Sequence, residues 1–349
     1  MPTRNPILDF GIDKASLRYV GRDLQRPECI LAEPDGMLWS ADARGGVVRI
    51  GPDGDQAIVA QRSSGHFQLA TTDASRYLQG TLPNGLAFAR NGDFLISNFG
   101  TDCLEIMSRD GYSTVLAHEI DGQPIGKVNF VLRDSLDRIW MTVSTRKTNW
   151  MEALRTDLTD GYLARYERGA VHIVADGFRF TNEIRFDAQE EFLYVVETTG
   201  GCITRLRIDR DGRVAEREIF GPTTLGPGAW PDGIAFDSYG NLWGTLVYSD
   251  KLFVLTPEGD LRILLDEGDP LRVGALEDAF LQNRVTEDVL FATGRGLAPW
   301  MASVTFGGPD LRTVYIGSLK GTSIPYFRAP VAGLPMVHWN ELVATLPKR

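Results

Sequence analysis

Trp230-Pro231-Asp232-Gly233-Ile234-Ala235-Phe236-Asp237-Ser238-Tyr239-Gly240-Asn241-Leu242-Trp243-Gly244-Thr245 carries the unit from which the chain is built. Asp232 reads as part of a Pro-Asp-Gly turn, and 234–236 as a short apolar strand. Residues 238–241 are turn chemistry, and 242–245 form a second strand. Two apolar runs joined by a Gly/Asn turn predict a β-hairpin, here with a polar residue at its head.

The hairpin recurs. Its head residue and the apolar residue of its second strand are Glu28 and Trp39, Asn84 and Ile96, Asn129 and Trp140, Asn182 and Tyr194, Asp232 and Trp243, and Ser303 and Tyr315. The separation is 11 or 12 residues each time, and successive heads lie 45 to 71 residues apart. A repeat of this length with two to four strands per unit predicts an all-β, six-bladed β-propeller of four-stranded antiparallel blades. The blades begin near residues 27, 82, 127, 180, 230 and 300. At about 150 residues per domain the chain of 349 suggests two domains. Blades in a ring share one core and cannot fold separately, so a single domain over 1–349 is expected. The run 17–20 has strand character and suits an outer strand for the last blade, hiding the ring's edge. Residues 145–160 and 271–297 break the strand rhythm and read as insertions beside the channel mouth, with one or two helical turns at 276–281. The tail after Pro330 reads as a wrap-around segment.

Composition narrows the function. Lys and Arg number 36 against 46 Asp and Glu, a net charge of −10, which argues against a nucleic-acid partner. No basic stretch followed by an apolar run opens the chain, and no apolar segment of about 18 residues occurs, so a cytoplasmic protein with no membrane partner is expected. Cys29, Cys103 and Cys202 form no Cys-x-x-Cys pair and read as reduced and structural. His66, His118, His172 and His338 share no spacing and read as surface or structural residues. No Gly-x-Ser-x-Gly is present to suggest a serine hydrolase.

The heads carry the chemistry. The first strand of a propeller blade is innermost, so Glu28, Asn84, Asn129, Asn182, Asp232 and Ser303 should ring one mouth of the channel. Two carboxylates and several amide oxygens aimed at one spot make a hard-oxygen cage suited to Ca²⁺, Mg²⁺ or Mn²⁺. Without a cation the two carboxylates would repel. Taken singly, Pro-Asp-Gly and Pro-Asn-Gly are turn formers; taken together, six polar heads favour a shared site. Asn84 and Ser303 read first as structural. Trp150 and Trp300 adjoin the two insertions and either cover a ligand or pack the insertions onto the ring.

Pro27-Glu28-Cys29, Asn182-Glu183-Ile184-Arg185-Phe186-Asp187, the stretch 231–243 and Val304-Thr305-Phe306-Gly307-Gly308-Pro309-Asp310 resemble the senescence-marker-protein / gluconolactonase / luciferin-regenerating-enzyme-like family over residues 27–318. The resemblance implies a six-bladed propeller with one catalytic divalent cation. It implies Glu28, Asn182 and Asp232 as ligands, Asn129 on the cation or on substrate beside it, and Asp232 as general base. Calcium is the expected ion, with magnesium, manganese, zinc and iron(II) as alternatives. Blade three departs from the family's Arg-x-Asn-Asp or Pro-Asn-Asp: it has Lys127-Val128-Asn129-Phe130, and lysine lacks arginine's bidentate fork. The expectation is a metal-dependent lactonase of sugar-acid or related lactones, a small-molecule substrate being met by Lys127, Asn129, Asn84 and Trp150. The alternatives are a lyase, hydratase or cyclase on the same scaffold, or a non-catalytic cation- or ligand-binding propeller. The sequence leaves the oligomeric state open.

Overall fold

Each cassette folds as the two inner strands of a four-stranded antiparallel sheet, and six such sheets form the propeller. The computed structural model describes residues 4–62 and 81–345. Blade five is representative, with strands Pro231–Phe236, Leu242–Leu246, Lys251–Leu255 and Leu261–Asp266 in sequence order from the centre outward. The other innermost strands are Ile30–Ala32, Pro83–Phe88, Val128–Arg133, Thr181–Phe186 and Met301–Gly307. In blades two to five all six inner-strand residues are buried, whereas the outermost strands, such as Val214–Phe220, face solvent over most of their length.

The ring closes as the strand character of 17–20 predicts. Arg18–Val20 pairs antiparallel with Ile324–Arg328, so the N-terminal segment supplies the fourth strand of blade six. Closure of this kind removes an unpaired sheet edge.

Blades are held together by aromatic residues at fixed points of the cassette. Trp140 meets Phe186 of the next blade at 5.5 Å between ring centroids, Tyr194 meets Phe236 at 4.8 Å, and Trp243 meets Phe306 at 5.5 Å, all nearly edge-to-face. Such pairs add roughly 0.5–1.5 kcal/mol each beyond the area they bury. The indole N–H groups are answered within the hairpin turn. Trp243 Nε1 donates to Asp237 Oδ2 at 2.9 Å, Trp140 Nε1 to Asp134 Oδ2 at 2.8 Å, and Trp39 Nε1 to Glu33 Oε1 at 2.6 Å. Asp237 also accepts from the Tyr239 and Asn241 amides and from Asn241 Nδ2. One carboxylate thus shapes the turn and satisfies the tryptophan that fills the gap between blades.

The insertion at 271–297 is more helical than expected. A helix runs over Pro270–Leu281, and a short one follows at Glu287–Phe291. Asp269 accepts from the Leu271 and Arg272 amides and Pro270 stands in the first turn, an N-cap followed by proline that fixes the start six residues earlier than 276. The other insertion contains a 3-10 turn over Trp150–Ala153, capped by Asn149.

The tail has a clear place. The Leu334 amide donates to Phe236 O, and the Ser238 amide to Ala332 O. The helix Val337–Thr345 then crosses the far mouth of the channel. His338 Nε2 lies 3.0 Å from Ala32 O, and Glu341 is ion-paired with Arg133. Cys29, Cys103 and Cys202 are buried free thiols. His118 and His172 are exposed, and His66 lies outside the described residues. Among the described residues no helix is long and apolar enough to cross a membrane.

Replacing Asp237 by Ala would leave the buried Trp243 indole and Asn241 amide without their acceptor. At about 1–3 kcal/mol for each donor stranded in the interior, a loss of at least about 2 kcal/mol is expected in urea unfolding. An unchanged midpoint would show that the turn does not clamp the blade.

Candidate metal and substrate site

Four of the six head residues stand on bulges, not in turns. In blade two the ladder slips between Pro83 and Leu86, in blade three between Val128 and Phe130, in blade four between Thr181 and Ile184, and in blade five between Pro231 and Ile234. Each slip contains the head residue. A bulge re-aims a side chain out of the strand's alternation, here toward the channel. Pro-Asp-Gly at 231–233 is therefore part of the inner strand, which corrects the turn expected there. Glycine follows Asn84 and Asp232 because the next blade approaches too closely there for a side chain. A Cβ on Gly85 would lie 2.6 Å from the Phe130 ring, and one on Gly233 would lie 2.3 Å from Ala302 O.

Hydroxyls on the neighbouring strands lock these bulges. Ser97 Oγ accepts from the Gly85 amide at 2.8 Å and donates to Asn129 O of the next blade at 2.5 Å. Thr142 Oγ1 accepts from the Phe130 amide at 3.1 Å and donates to Asn182 O at 2.8 Å. Thr198 Oγ1 donates to Pro231 O at 2.8 Å, and Ser303 Oγ donates to Glu28 O. Ser303 thus positions Glu28's backbone, in keeping with a structural reading of this head.

Glu28, Asn84, Asn129, Asn182 and Asp232 line one cavity of about 50 Å³, together with Trp150. They come from five blades. Lys127 is not among its lining residues: its ammonium is 2.9 Å from Asp102 Oδ1 and lies over the Phe99 ring. Arg26, which sequence reasoning missed, is in the cavity instead. Its Nη1 is 2.7 Å from Glu28 Oε2, and its Nη2 donates to Asn84 Oδ1 at 2.6 Å. Asn84 Nδ2 donates in turn to Asn129 O at 3.0 Å. Arg26 has φ +58°, although it is not glycine. Only a close look at the residues flanking Glu28 would have raised it.

Asn182 Oδ1 and Asp232 Oδ1 in this cavity are buried and have no hydrogen-bond partner, and Glu28 Oε2 beside them is met only by the Arg26 guanidinium. Buried polar atoms are nearly always paired, so this grouping needs an explanation. All three are hard oxygen donors, two of them anionic, and the set fits Ca²⁺ or Mg²⁺ chemistry. Among the described residues no group of three acids, histidines and cysteines converges; here the amide of Asn182 takes the third place.

A larger cavity, about 480 Å³, opens at the far mouth beneath the C-terminal helix. Its charged groups are answered within the protein: Arg133 by Glu341, and Arg185 by Glu183. Among the described residues none of its lining side chains carries a buried, unpaired polar atom. Volume favours the far mouth, but unsatisfied chemistry favours the near one.

The electrostatics agree. Burial pushes Glu28 up to about 7 against the pull of Arg26, and Glu183 up to about 7 against that of Arg185. Burial also raises Asp232 well above the ordinary carboxylate range, and the charges of Glu28 and Glu183 add to the effect. Ionising all three needs added positive charge.

A family model described as the SMP-30/Gluconolactonase/LRE-like region matches residues 27–266. The chain is 26% identical over 165 residues to a 6-deoxy-6-sulfogluconolactonase from Pseudomonas putida, covering 47% of each protein. It is 29% identical over 168 residues to a pentonolactonase from Haloferax volcanii, covering 48% of this chain and 47% of that one. It spans about half the length of these curated relatives. Its fold is similar to that of a calcium-binding protein, regucalcin, from Agrobacterium tumefaciens. The TM-score is 0.61 at 16% identity, over 90% of this chain and 95% of the other.

Raised carboxyls hold protons in the folded state that the unfolded chain has released, so their contribution favours the fold at low pH and is lost as pH rises through the folded values. His338, pushed down to about 4 by burial, acts oppositely at lower pH, and Lys320, pushed down to about 8 by burial, acts oppositely at higher pH. Between about pH 6.5 and 8 the melting temperature of chelator-treated protein should therefore fall, and added divalent cation should restore it at pH 8. A melting temperature that rises over this window without cation would refute the reading of these carboxyls.

Proposed function

The chain belongs to the SMP-30/gluconolactonase/LRE-like family, and from that premise we propose that it is a divalent-metal-dependent hydrolase that opens lactones. The observation that carries this reading is the convergence of Glu28, Asn182 and Asp232 oxygens, from three blades, in one buried cavity, those of Asn182 and Asp232 without a hydrogen-bond partner. The names of the two curated relatives support lactone hydrolysis as the reaction class.

Glu28, Asn182 and Asp232 would hold the cation, with Asn129 beside them. Calcium suits the all-oxygen donors and is the ion of the similar regucalcin. Bound there, a divalent cation supplies Lewis-acid polarisation of the ester carbonyl and acidifies the attacking water. Asp232 would accept a proton from the attacking water as general base and return it to the leaving alkoxide. Arg26 offsets the charge of Glu28 and, through Asn84, fixes Asn129 against the substrate. Thr198 accepts from Asn182 Nδ2 at 3.1 Å, which turns the amide oxygen toward the cavity. Trp150 covers the substrate from the insertion. Lys127, tied to Asp102, stands outside the lining of this cavity and is given no part in the reaction.

The test separates binding from chemistry. Glu28→Ala should lose cation affinity by calorimetry while its far-ultraviolet circular dichroism stays that of the wild type. Asp232→Asn keeps an oxygen donor but loses the proton acceptor, so kcat at saturating cation should fall by about 10²–10⁴-fold. Full wild-type turnover in metal-loaded Asp232→Asn would remove Asp232 from the base role. Unchanged cation binding in Glu28→Ala would remove the site.

A further inference from the structure

Beside the oxygen cage, the same cavity is lined by hydrogen-bond donors that are not spent within the protein. Arg26 directs Nη1 to Glu28 Oε2 at 2.7 Å and to Pro83 O at 3.4 Å, and Nη2 to Asn84 Oδ1 at 2.6 Å. Its Nε is buried without a hydrogen-bond partner, on a side chain only 9% exposed. An Nε–H next to a terminal N–H is the side-by-side fork with which arginine takes a carboxylate. Asn129 accepts from Asn84 Nδ2 on its own Oδ1 at 3.3 Å, and among the described residues its Nδ2 donates to no group. The Tyr248 hydroxyl has no hydrogen-bond partner among the described residues either. Its ring is pinned edge-on by Trp230 and Trp300, with centroids 5.3 and 5.2 Å away. Burial, with the charge of Asp232 adding to it, holds the phenol in its protonated, donating form.

Charge gives these donors a sign. With a divalent cation in place, ionised Glu28 and Asp232 balance it, and the guanidinium of Arg26 is left over as positive charge in the lining. Glu183 is matched by Arg185 and does not alter the sum. Passing a proton from water to Asp232 while negative charge builds on the carbonyl oxygen only moves charge within the site, so the excess persists through the reaction. A buried charge without a counterpart is costly, and an anion on the substrate would supply the counterpart. Pairing with Glu28 alone accounts neither for the free Nε nor for the two neighbouring donors.

We propose that the substrate of this site carries a carboxylate, received by Arg26 Nε with Asn129 Nδ2 and the Tyr248 hydroxyl as further donors, so that the lactone opened is an acidic one. The proposal rests on the lactonase reading above and narrows its substrate class.

The test uses cation-saturated full-length protein and pairs of lactones that differ in a single group. These are γ-carboxy-γ-butyrolactone against γ-hydroxymethyl-γ-butyrolactone, and glucaro-1,4-lactone against glucono-1,4-lactone. The acidic member of each pair should exceed the neutral one in kcat/KM by at least about tenfold, the lower end of what pocket chemistry discriminates. Equal or better turnover of the neutral members overturns the proposal. A second arm measures, by calorimetry, binding of the unreactive analogues tetrahydrofuran-2-carboxylate and tetrahydrofurfuryl alcohol. Should no lactone turn over while the carboxylate binds and the alcohol does not, the anionic class stands and the hydrolytic reading falls. Should the carboxylate bind no better than the alcohol, the proposal falls whatever the lactones do. Arg26→Gln separates a carboxylate seated on Arg26 from one seated on the cation. With a wild-type circular dichroism spectrum, this variant should lose the acidic preference by about tenfold or more in both arms, and Arg26→Lys, which restores charge without the fork, should recover part of it. An undiminished preference in folded Arg26→Gln seats the carboxylate on the cation and overturns the assignment. Tyr248→Phe removes only a hydroxyl and should raise KM more for the acidic lactones than for the neutral ones; an equal effect on both would count against Tyr248 as a carboxylate donor.

Discussion

A hydroxyl that bonds backward to its own blade and forward to the next is the interaction on which the centre of this propeller depends. Ser97 and Thr142 each accept an amide hydrogen from their own bulged strand and donate to the head-residue carbonyl of the following blade. The bulge leaves ladder groups unpaired, and a buried unpaired amide or carbonyl costs about 1–3 kcal/mol. The hydroxyl removes that cost on both sides at once. It also sets the rotation of one blade against the next, which decides where each head side chain points. Polar residues from five blades therefore meet within one small cavity, although they are scattered from Glu28 to Asp232.

The same centre is deliberately incomplete. Elsewhere in the interior the acids are answered: Asp237 and Asp134 by indoles and turn amides, Glu183 by Arg185 and the Ile234 amide. Among the described residues Arg26 is the cation set against the Glu28 and Asp232 pair, and it reaches Glu28. Arg26 itself adopts φ +58° just before Pro27, a position where proline disfavours helical geometry in the preceding residue. Strain of this kind persists where the surrounding structure enforces it, and it clusters at functional sites. Stability has been given up here for an arrangement that can accept charge.

Much of the architecture was legible because it rests on spacing. The interval from Asn182 to Tyr194 or from Asp232 to Trp243 reports a hairpin whose second strand must reach the next blade's first, and the aromatic pairs confirm why that interval is kept. The bulges were not legible. Pro231-Asp232-Gly233 spells a tight turn as readily as a bulged inner strand, and only the approach of Ala302 explains the glycine. Asp269-Pro270 did announce a helix start, yet the strand rhythm around it drew attention to 276–281. Lys127 and Arg26 show the limit more sharply. Lys127 stands two residues before a head and pairs away from the cavity, while Arg26 stands two residues before another head and turns into it. The difference lies in backbone dihedrals and in the position of Asp102, neither of which is written in local composition.

The cage and its walls act on each other. Aromatic side chains around Glu28 and Asp232 exclude water, and that exclusion is the main cause of their raised proton affinity. The more completely the rings close, the more the carboxylates need a positive charge beside them, since low local dielectric strengthens both the repulsion between anions and the attraction of a cation. A polar wall would hydrate the carboxylates and weaken that demand, whereas an apolar one strengthens it. The insertion that carries Trp150 and the one that precedes Trp300 thus act on the electrostatics of the centre, because these rings line the cavity and keep solvent from the acids.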